Sequence, residues 1–328
     1  MKLPKMSTHG PTRTALLVLL AFCGGLGAHL LIFSSTEAES DLDHVRHFND
    51  GYKVFSLALP NELSFCGERV PLHRLDVRER LDRELLVNTY WQSNTLLAHK
   101  RSARWFPLIE EVLRREGVPD DMKYLALIES GFANTVSPAG AAGYWQFMKE
   151  TAVQYGLEVN SEVDERYHVE KSTRAACQYL KEAHRRFGSW AMAAAAYNLG
   201  PGGVSKHAGR QQQEDYYDLL LPEETSRYVF RILAMKEIVK APERYGFHVR
   251  KKDLYPPYTT RPMEVKGPVE DLATFALRQG ANYKTLKLLN PWLRDTKLTN
   301  KEGRTYHLLL PAEGFDEVRS APGQDPQD

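Results

Sequence analysis

The stretch from Tyr124 to Met148, YLALIESGFANTVSPAGAAGYWQFM, sets a single carboxyl group among residues that otherwise pack or turn. Tyr124, Leu125, Leu127 and Ile128 predict a buried helix, opened by Pro119 and Asp120 and stopped near Ser130 and Gly131. Glu129 falls in its last turn, where the negative end of the helix dipole disfavours ionisation. A carboxyl group so placed is a candidate for acid–base chemistry. A Ser-Pro-Ala-Gly turn follows at Ser137 to Gly140, then Gly143, Trp145 and Gln146. Glycine lets backbone approach a ligand, the indole offers an apolar plate, and the amide both donates and accepts. Together they describe a groove for something polar with an apolar face, as sugars are.

Two further stretches carry polar groups at helix ends. AYNLGPGG, Ala196 to Gly203, supplies Tyr197 and Asn198 where a helix is expected to meet a glycine-rich loop. A phosphate loop would need Lys-Ser or Lys-Thr at a fixed spacing, and none follows. LPEETSRYV, Leu221 to Val229, brings Glu224, Thr225 and Tyr228 to another helix start.

The elements that must position these groups are mostly helical. Apolar residues three and four apart predict amphipathic helices in VRERLDRELLVNTYWQ and RWFPLIEEVLRREG, and again over Lys171–Gly188, Trp190–Asn198 and Glu223–Lys240. Ala191 and Ala193 to Ala196 make Trp190–Asn198 a central helix that its neighbours can approach closely. A short strand is expected at Tyr52 to Pro60. After YPPYTTRP, Tyr255 to Pro262, the pattern changes to a compact βααβ unit ending at RTYHLLLP. The expected divisions are an N-terminal segment 1–33, a tether and extension 34–76, a helical domain 77–254, a linker 255–263, the βααβ unit 264–311 and a disordered tail 312–328.

At 328 residues the chain holds 43 Lys and Arg against 42 Asp and Glu, a formal charge of +1. No global field draws it to nucleic acid, which is not expected as a partner. Lys2, Lys5 and Arg13 precede the apolar run Ala15 to Phe33, which approaches the length of a membrane span and places the rest of the chain outside the cytoplasm. The expectation is an uncleaved anchor, with cleavage after Thr36 to Ala38 as the alternative. Cys23 follows Phe22, where a lipoprotein pattern wants a small residue. Cys66 and Cys177 would be permitted to pair outside the cytoplasm. Neither they nor His44 and His47 complete a metal shell, so no metal and no cofactor is implied.

In their order, ALIESGF, SPAGAAGYWQFMKETAVQYGL, VDER, AAYNLGPGGV and LPEETSRYVFRIL resemble the lytic murein transglycosylases with a soluble-type catalytic domain, over roughly Val77 to Lys240. The resemblance implies a mainly α, goose-lysozyme-like fold that cleaves peptidoglycan between N-acetylmuramic acid and N-acetylglucosamine. It makes Glu129 the catalytic acid and base and puts Ser130, Ser137, Gly143, Gln146, Tyr197, Asn198 and Tyr228 on the substrate groove. His168 departs from the family pattern, standing where Asp is expected. Glu264 to Pro311 resembles a LysM domain, with Gly267-Pro268 in place of the usual Gly-Asp pair.

A glycosidase acid needs a raised pKa, and Glu129 is expected to obtain it from Tyr144, Trp145 or Tyr197. A paired-carboxylate hydrolase needs a second acid. Asp164 and Glu165 read more simply as loop or cap residues, so the substrate's own C6 hydroxyl is the natural nucleophile, giving a 1,6-anhydromuramyl product. A hydrolytic muramidase and a catalytically silent glycan-binding scaffold are the alternatives. The implied partners are peptidoglycan glycan strands and, through the N-terminal segment, the periplasmic side of the bacterial inner membrane.

Overall fold

The computed structural model describes residues 41–51 and 54–315, so the apolar N-terminal run and most of the expected tail lie outside the described residues. Within the expected tether and extension, Asp41–Gly51 forms helix α1. Among the described residues no helix is long and apolar enough to cross a membrane.

From Ser56 the chain forms one contact unit, mainly helical. The expected strand at Tyr52 to Pro60 falls partly outside the described residues, and its described part, residues 54–60, is not a strand. A hairpin stands just after it, β1 (Ser64–Phe65) against β2 (Glu68–Arg69). Its turn is made by Cys66 at φ 54° and Gly67 at φ 86°, the left-handed pair that matches strand twist in a two-residue connection. Phe65 and Val70 enter the main core, so the hairpin packs with the helices that follow. Cys66 and Cys177 are both free thiols rather than a disulfide, and burial raises the pKa of each, that of Cys177 to about 12.

The helices are α2 (Leu75–Tyr90), α3 (Gln92–Glu116), α4 (Lys123–Ser130), α5 (Lys149–Gln154), α6 (Val169–Phe187), α7 (Trp190–Leu199), α8 (Pro201–Gln211) and α9 (Glu223–Lys240). Helix α6 buries Thr173, Ala176, Cys177, Leu180 and Ala183, a stripe at helical spacing, and stops at Gly188 with φ 80°. Helix α7 is buried from Ala191 through Ala196, as its run of small residues predicts. Its N-terminus is closed by Ser189, whose Oγ accepts from Met192 N, and by Glu68, whose carboxylate accepts from Trp190 N at 2.6 Å and Ala191 N at 3.2 Å. A carboxylate against the positive end of a helix satisfies both its free N–H groups and its dipole. The hairpin thereby fixes the central helix.

Beyond α7 the expected glycine-rich loop is absent. Gly200 at φ 81° makes the turn alone, and Pro201 opens α8, where its missing N–H is no loss.

The βααβ unit is present: β3 (Thr260–Val265), α10 (Leu272–Arg278), α11 (Tyr283–Leu289) and β4 (Tyr306–Pro311), with β3 and β4 antiparallel from Thr260↔Pro311 to Val265↔Tyr306. The strand starts inside the expected linker and includes Pro262, which a two-stranded sheet tolerates because each strand keeps an open edge. Asp271 and Asn282 cap the two helices. The residues before β3 are held rather than free: Arg104 of α3 donates to Pro256 O and Tyr258 Oη and lies 4.0 Å from the Tyr258 ring centre.

Candidate active site

Helix α4 is short, and it is held at both ends. At its start Asp121 accepts from Lys236 Nζ of α9 at 2.7 Å and from Cys66 N at 2.8 Å, while Lys236 also donates to Ser64 O. This buried pair has its hydrogen bonds met, the condition under which a buried charge is tolerated. At the other end Gly131, at φ 55°, closes the helix, and Arg101 of α3 donates to its carbonyl at 3.1 Å. Arg231 of α9 donates to Ile128 O at 3.2 Å.

Glu129 therefore has a fixed backbone and a side chain only partly open to solvent. The hydroxyl of Tyr228, itself buried in α9, donates to Glu129 Oε1. Burial pushes the Glu129 carboxyl up to about 7, against the lowering effects of the Tyr228 hydrogen bond and the Arg231 charge; the Glu224 charge raises it further. The aromatic hydroxyl that hydrogen-bonds Glu129 is that of Tyr228, and of the three aromatics expected beside it Tyr197 lies within reach of its charge. Burial, reinforced by the Glu129 charge, holds the Tyr197 and Tyr228 hydroxyls protonated, so both remain donors.

One wall is the segment from Ser137 to Phe147. Ser137 Oγ accepts from Ala141 N and closes the turn. Ala142 and Phe147 exchange both backbone hydrogen bonds, and Gly143 to Gln146 forms the tip between them. Gly143 has φ 79°, and a Cβ there would meet Arg166 O at 1.9 Å. The close approach that requires this glycine is thus the Arg166 carbonyl, not a ligand. Trp145 is fully buried, its Nε1 donating to Thr173 Oγ1 at 2.9 Å, so it is core rather than a sugar plate. Gln146, at φ 48°, uses both amide hydrogens on Gly143 O (2.8 Å) and Thr135 O (3.2 Å). That choice orients the amide and leaves its oxygen as the group offered to the groove. Ser130 Oγ donates to Tyr144 O and accepts from Phe132 N, tying the end of α4 to this wall.

The opposite side comes from α7 and α9. Tyr197 donates to Trp145 O at 2.7 Å and packs edge-on against Trp145, Phe147 and Tyr179. Asn198 Oδ1 accepts from Thr225 Oγ1 at 2.7 Å, and its Nδ2 donates to Glu224 Oε1 at 3.2 Å. One amide hydrogen of Asn198 is left over. Tyr228, Glu224, Arg227 and Arg231 come from successive turns of one helix; the last three, with Glu223, line a cavity, and two of its residues, Glu224 and Arg231, act on Glu129 through their charges.

Asp164 and Glu165 are engaged elsewhere. Asp164 accepts from Arg166 N and pairs with the Arg166 guanidinium, and Glu165 accepts from Glu158 N and Lys171 Nζ. Glu224 is the carboxylate whose charge reaches Glu129. His168, in place of the expected Asp, still caps its helix: Nδ1 accepts from Lys171 N. Burial and the nearby Lys171 lower its pKa to about 4, so it is neutral.

Sequence reasoning missed Arg231 and Arg166. Arg231 follows Tyr228 by three residues and so shares its helix face, a signal that was readable. Arg166 closes the VDER stretch, but nothing in that stretch shows its partners, the carbonyls of Gly140 and Phe147.

The transglycosylase SLT domain family matches residues 107–220, and the soluble lytic transglycosylase C-terminal LysM-like domain matches residues 261–314. The membrane-bound lytic murein transglycosylase D of Escherichia coli K12 is 28% identical over 320 residues, covering 93% of this chain and 68% of that protein. Two solved structures align with 46% of this chain and 26% of their own length. They are lytic transglycosylase Slt of Pseudomonas aeruginosa, in an inactive mutant (23% identity, TM-score 0.36), and the 70 kDa soluble lytic transglycosylase of E. coli (21%, 0.35). Those superpositions are too slight to assign a fold.

Proposed function

We propose that this lytic transglycosylase, a transglycosylase SLT domain followed by a LysM-like domain, cleaves the β-1,4 bond between N-acetylmuramic acid and N-acetylglucosamine without water. The observation that carries the reading is Glu129: a carboxyl group raised to about 7, anchored by one tyrosine hydroxyl. No other carboxylate among the described residues hydrogen-bonds the same groups. A binding scaffold has no use for such a group, whereas a general acid requires it.

In the first step Glu129 gives its proton to the glycosidic oxygen, and the N-acetylglucosamine side leaves as an alcohol. In the second, the C6 hydroxyl of the muramyl residue attacks C1, and its proton passes to the Glu129 carboxylate. The 1,6-anhydro ring closes and Glu129 is again protonated. Tyr228 steadies the carboxylate between the steps. The Gln146 oxygen and the spare Asn198 amide hydrogen suit the hydroxyl and acetamido groups of the sugars. Ser130, Ser137 and Gly143 serve the groove by shaping its wall, and Tyr197 by holding Trp145 O. The name of the E. coli relative supports a place in the cell envelope, with the N-terminal apolar run as the anchor on the periplasmic side of the inner membrane.

Glu224 gives the hydrolytic reading its best candidate for a second acid. Mass spectrometry of digested peptidoglycan separates the two. Anhydromuramyl ends from the unmodified protein, reduced about 100- to 10,000-fold by Glu129→Gln, are the expected result. Reducing ends lost on Glu224→Gln would mean hydrolysis, and an intact polymer that still binds would mean a scaffold.

A further inference from the structure

The segment from Glu158 to His168 is held on one side by the LysM-like domain. Asp164 N donates to Trp292 O at 2.8 Å, and Arg294 N donates to Glu162 O at 2.7 Å. The Glu162 carboxylate accepts from Thr299 N and Oγ1, and Glu158 accepts from Tyr306 Oη at 3.0 Å. The Arg294 guanidinium lies 4.3 Å from the Tyr167 ring centre, and the neutral His168 ring packs against Trp292. Ala142, Val163 and Tyr167 belong to the core of the LysM-like domain itself.

The other side of the same segment holds the groove wall. Asp164 takes a two-pronged ion pair from Arg166, at 2.9 and 2.7 Å. That leaves Arg166 Nη1 to donate to Gly140 O at 3.0 Å and Phe147 O at 3.1 Å, one before and one after the tip that carries Gln146. The carbonyl of Arg166 meanwhile presses on Gly143. One residue thus fixes the wall at its start, middle and end.

We propose that the LysM-like domain is the rigid backing of the glycan groove, and that Arg166 is the positioning residue through which it fixes the Gln146 amide. The inference rests on the reading of the groove given above. A sugar-binding module on a free linker acts by raising local concentration, which matters for long strands and not for short ones. A backing acts on every substrate, however short. The two main-chain hydrogen bonds, Asp164 N to Trp292 O and Arg294 N to Glu162 O, and the grip of Arg104 on residues 256 and 258, are those of a backing.

The test is turnover of a soluble muramyl tetrasaccharide by the full chain, comparing the unmodified protein with Arg166→Met, Arg166→Lys and the double variant Glu162→Ala/Arg294→Ala. Melting is followed in parallel. The expected result for Arg166→Met is a KM raised about tenfold or more with kcat within about threefold and the pH limb of Glu129 unmoved; Arg166→Lys recovers part of the loss. Glu162→Ala/Arg294→Ala, which leaves Arg166 in place, raises KM in the same direction, and its effect added to Arg166→Met is less than the product of the two. Should Arg166→Met not fold, the Glu162→Ala/Arg294→Ala arm decides alone. Unchanged KM on the tetrasaccharide in folded variants, with loss only of retention on insoluble peptidoglycan, overturns the inference in favour of a tether. If the unmodified protein releases no anhydro product, the functional reading fails instead.

Discussion

Glu129 is tuned by three side chains on one helix, and their signs differ. Tyr228 and Arg231 lower its pKa while Glu224 raises it, all against the dominant upward push of burial. Because the first step needs the protonated form, kcat/KM should fall as pH rises through about 7. Replacing Arg231 with Gln removes a stabilising charge from the carboxylate and is expected to move that falling limb to higher pH; Glu224→Gln is expected to move it lower. Pre-steady-state or kcat/KM profiles across pH 5 to 9 check both, and two unmoved limbs would discard this electrostatic account. The same shift bears on stability. Between about 4.5 and 7 the folded state keeps the Glu129 proton that the unfolded chain releases, so folding stability contributed by this group is full below that window and lost across it as pH rises. Glu129→Gln escapes the loss. Its stability relative to the unmodified protein should therefore be greater at pH 8 than at pH 4, by at most about 3 kcal/mol for a shift of this size, measured by denaturant unfolding at the two pH values.

At the scale of elements, the groove wall shows which glycines matter. Gly140 (φ 88°) and Gly143 (φ 79°) both occupy left-handed backbone, but only Gly143 has backbone where a Cβ would stand. Gly140→Ala is expected to cost about 1–2 kcal/mol, the strain of a left-handed alanine. Gly143→Ala should cost clearly more and raise KM, because the Arg166 carbonyl has to move and takes the wall with it; melting and steady-state kinetics on the pair read the contrast. These cases mark what the sequence made legible. The helices and the βααβ unit were readable because their burial repeats at 3.6 or 2 residues, and Glu129 because it stood among apolar neighbours. The misreadings share a cause: Trp145, Gly143 and the Tyr52–Pro60 stretch were judged by residue type, whereas their roles are set by partners far along the chain. Trp145 is held by Thr173, Gly143 by Arg166. In the described part of the Tyr52–Pro60 stretch, residues 54–60, strand-like composition finds no partner strand among the described residues, and the short hairpin at Ser64–Arg69 forms after it.

For the molecule from Ser56 onward, the question is whether two domains unfold as two. The family boundaries separate residues 107–220 from 261–314, yet Val163 and Tyr167 lie in the core of the second while their neighbours Asp164 and Arg166 build the wall of the first. Such shared residues make partial unfolding costly, since releasing either domain exposes Ala142, Val163, Tyr167 and Trp292 together and breaks the Asp164–Trp292 main-chain bond. Leu293 is the position that tests this, being fully buried in the second core and bridged to Val163. Leu293→Ala is expected to destabilise by about 2–5 kcal/mol, as buried leucine truncations do. If the two domains are one cooperative unit, that loss lowers the melting temperature of the whole unit in a single calorimetric transition, and Glu129-dependent activity disappears at the same temperature. Two separated transitions, with only the smaller moved and activity surviving it, would mean that the LysM-like domain can leave while the groove keeps its shape.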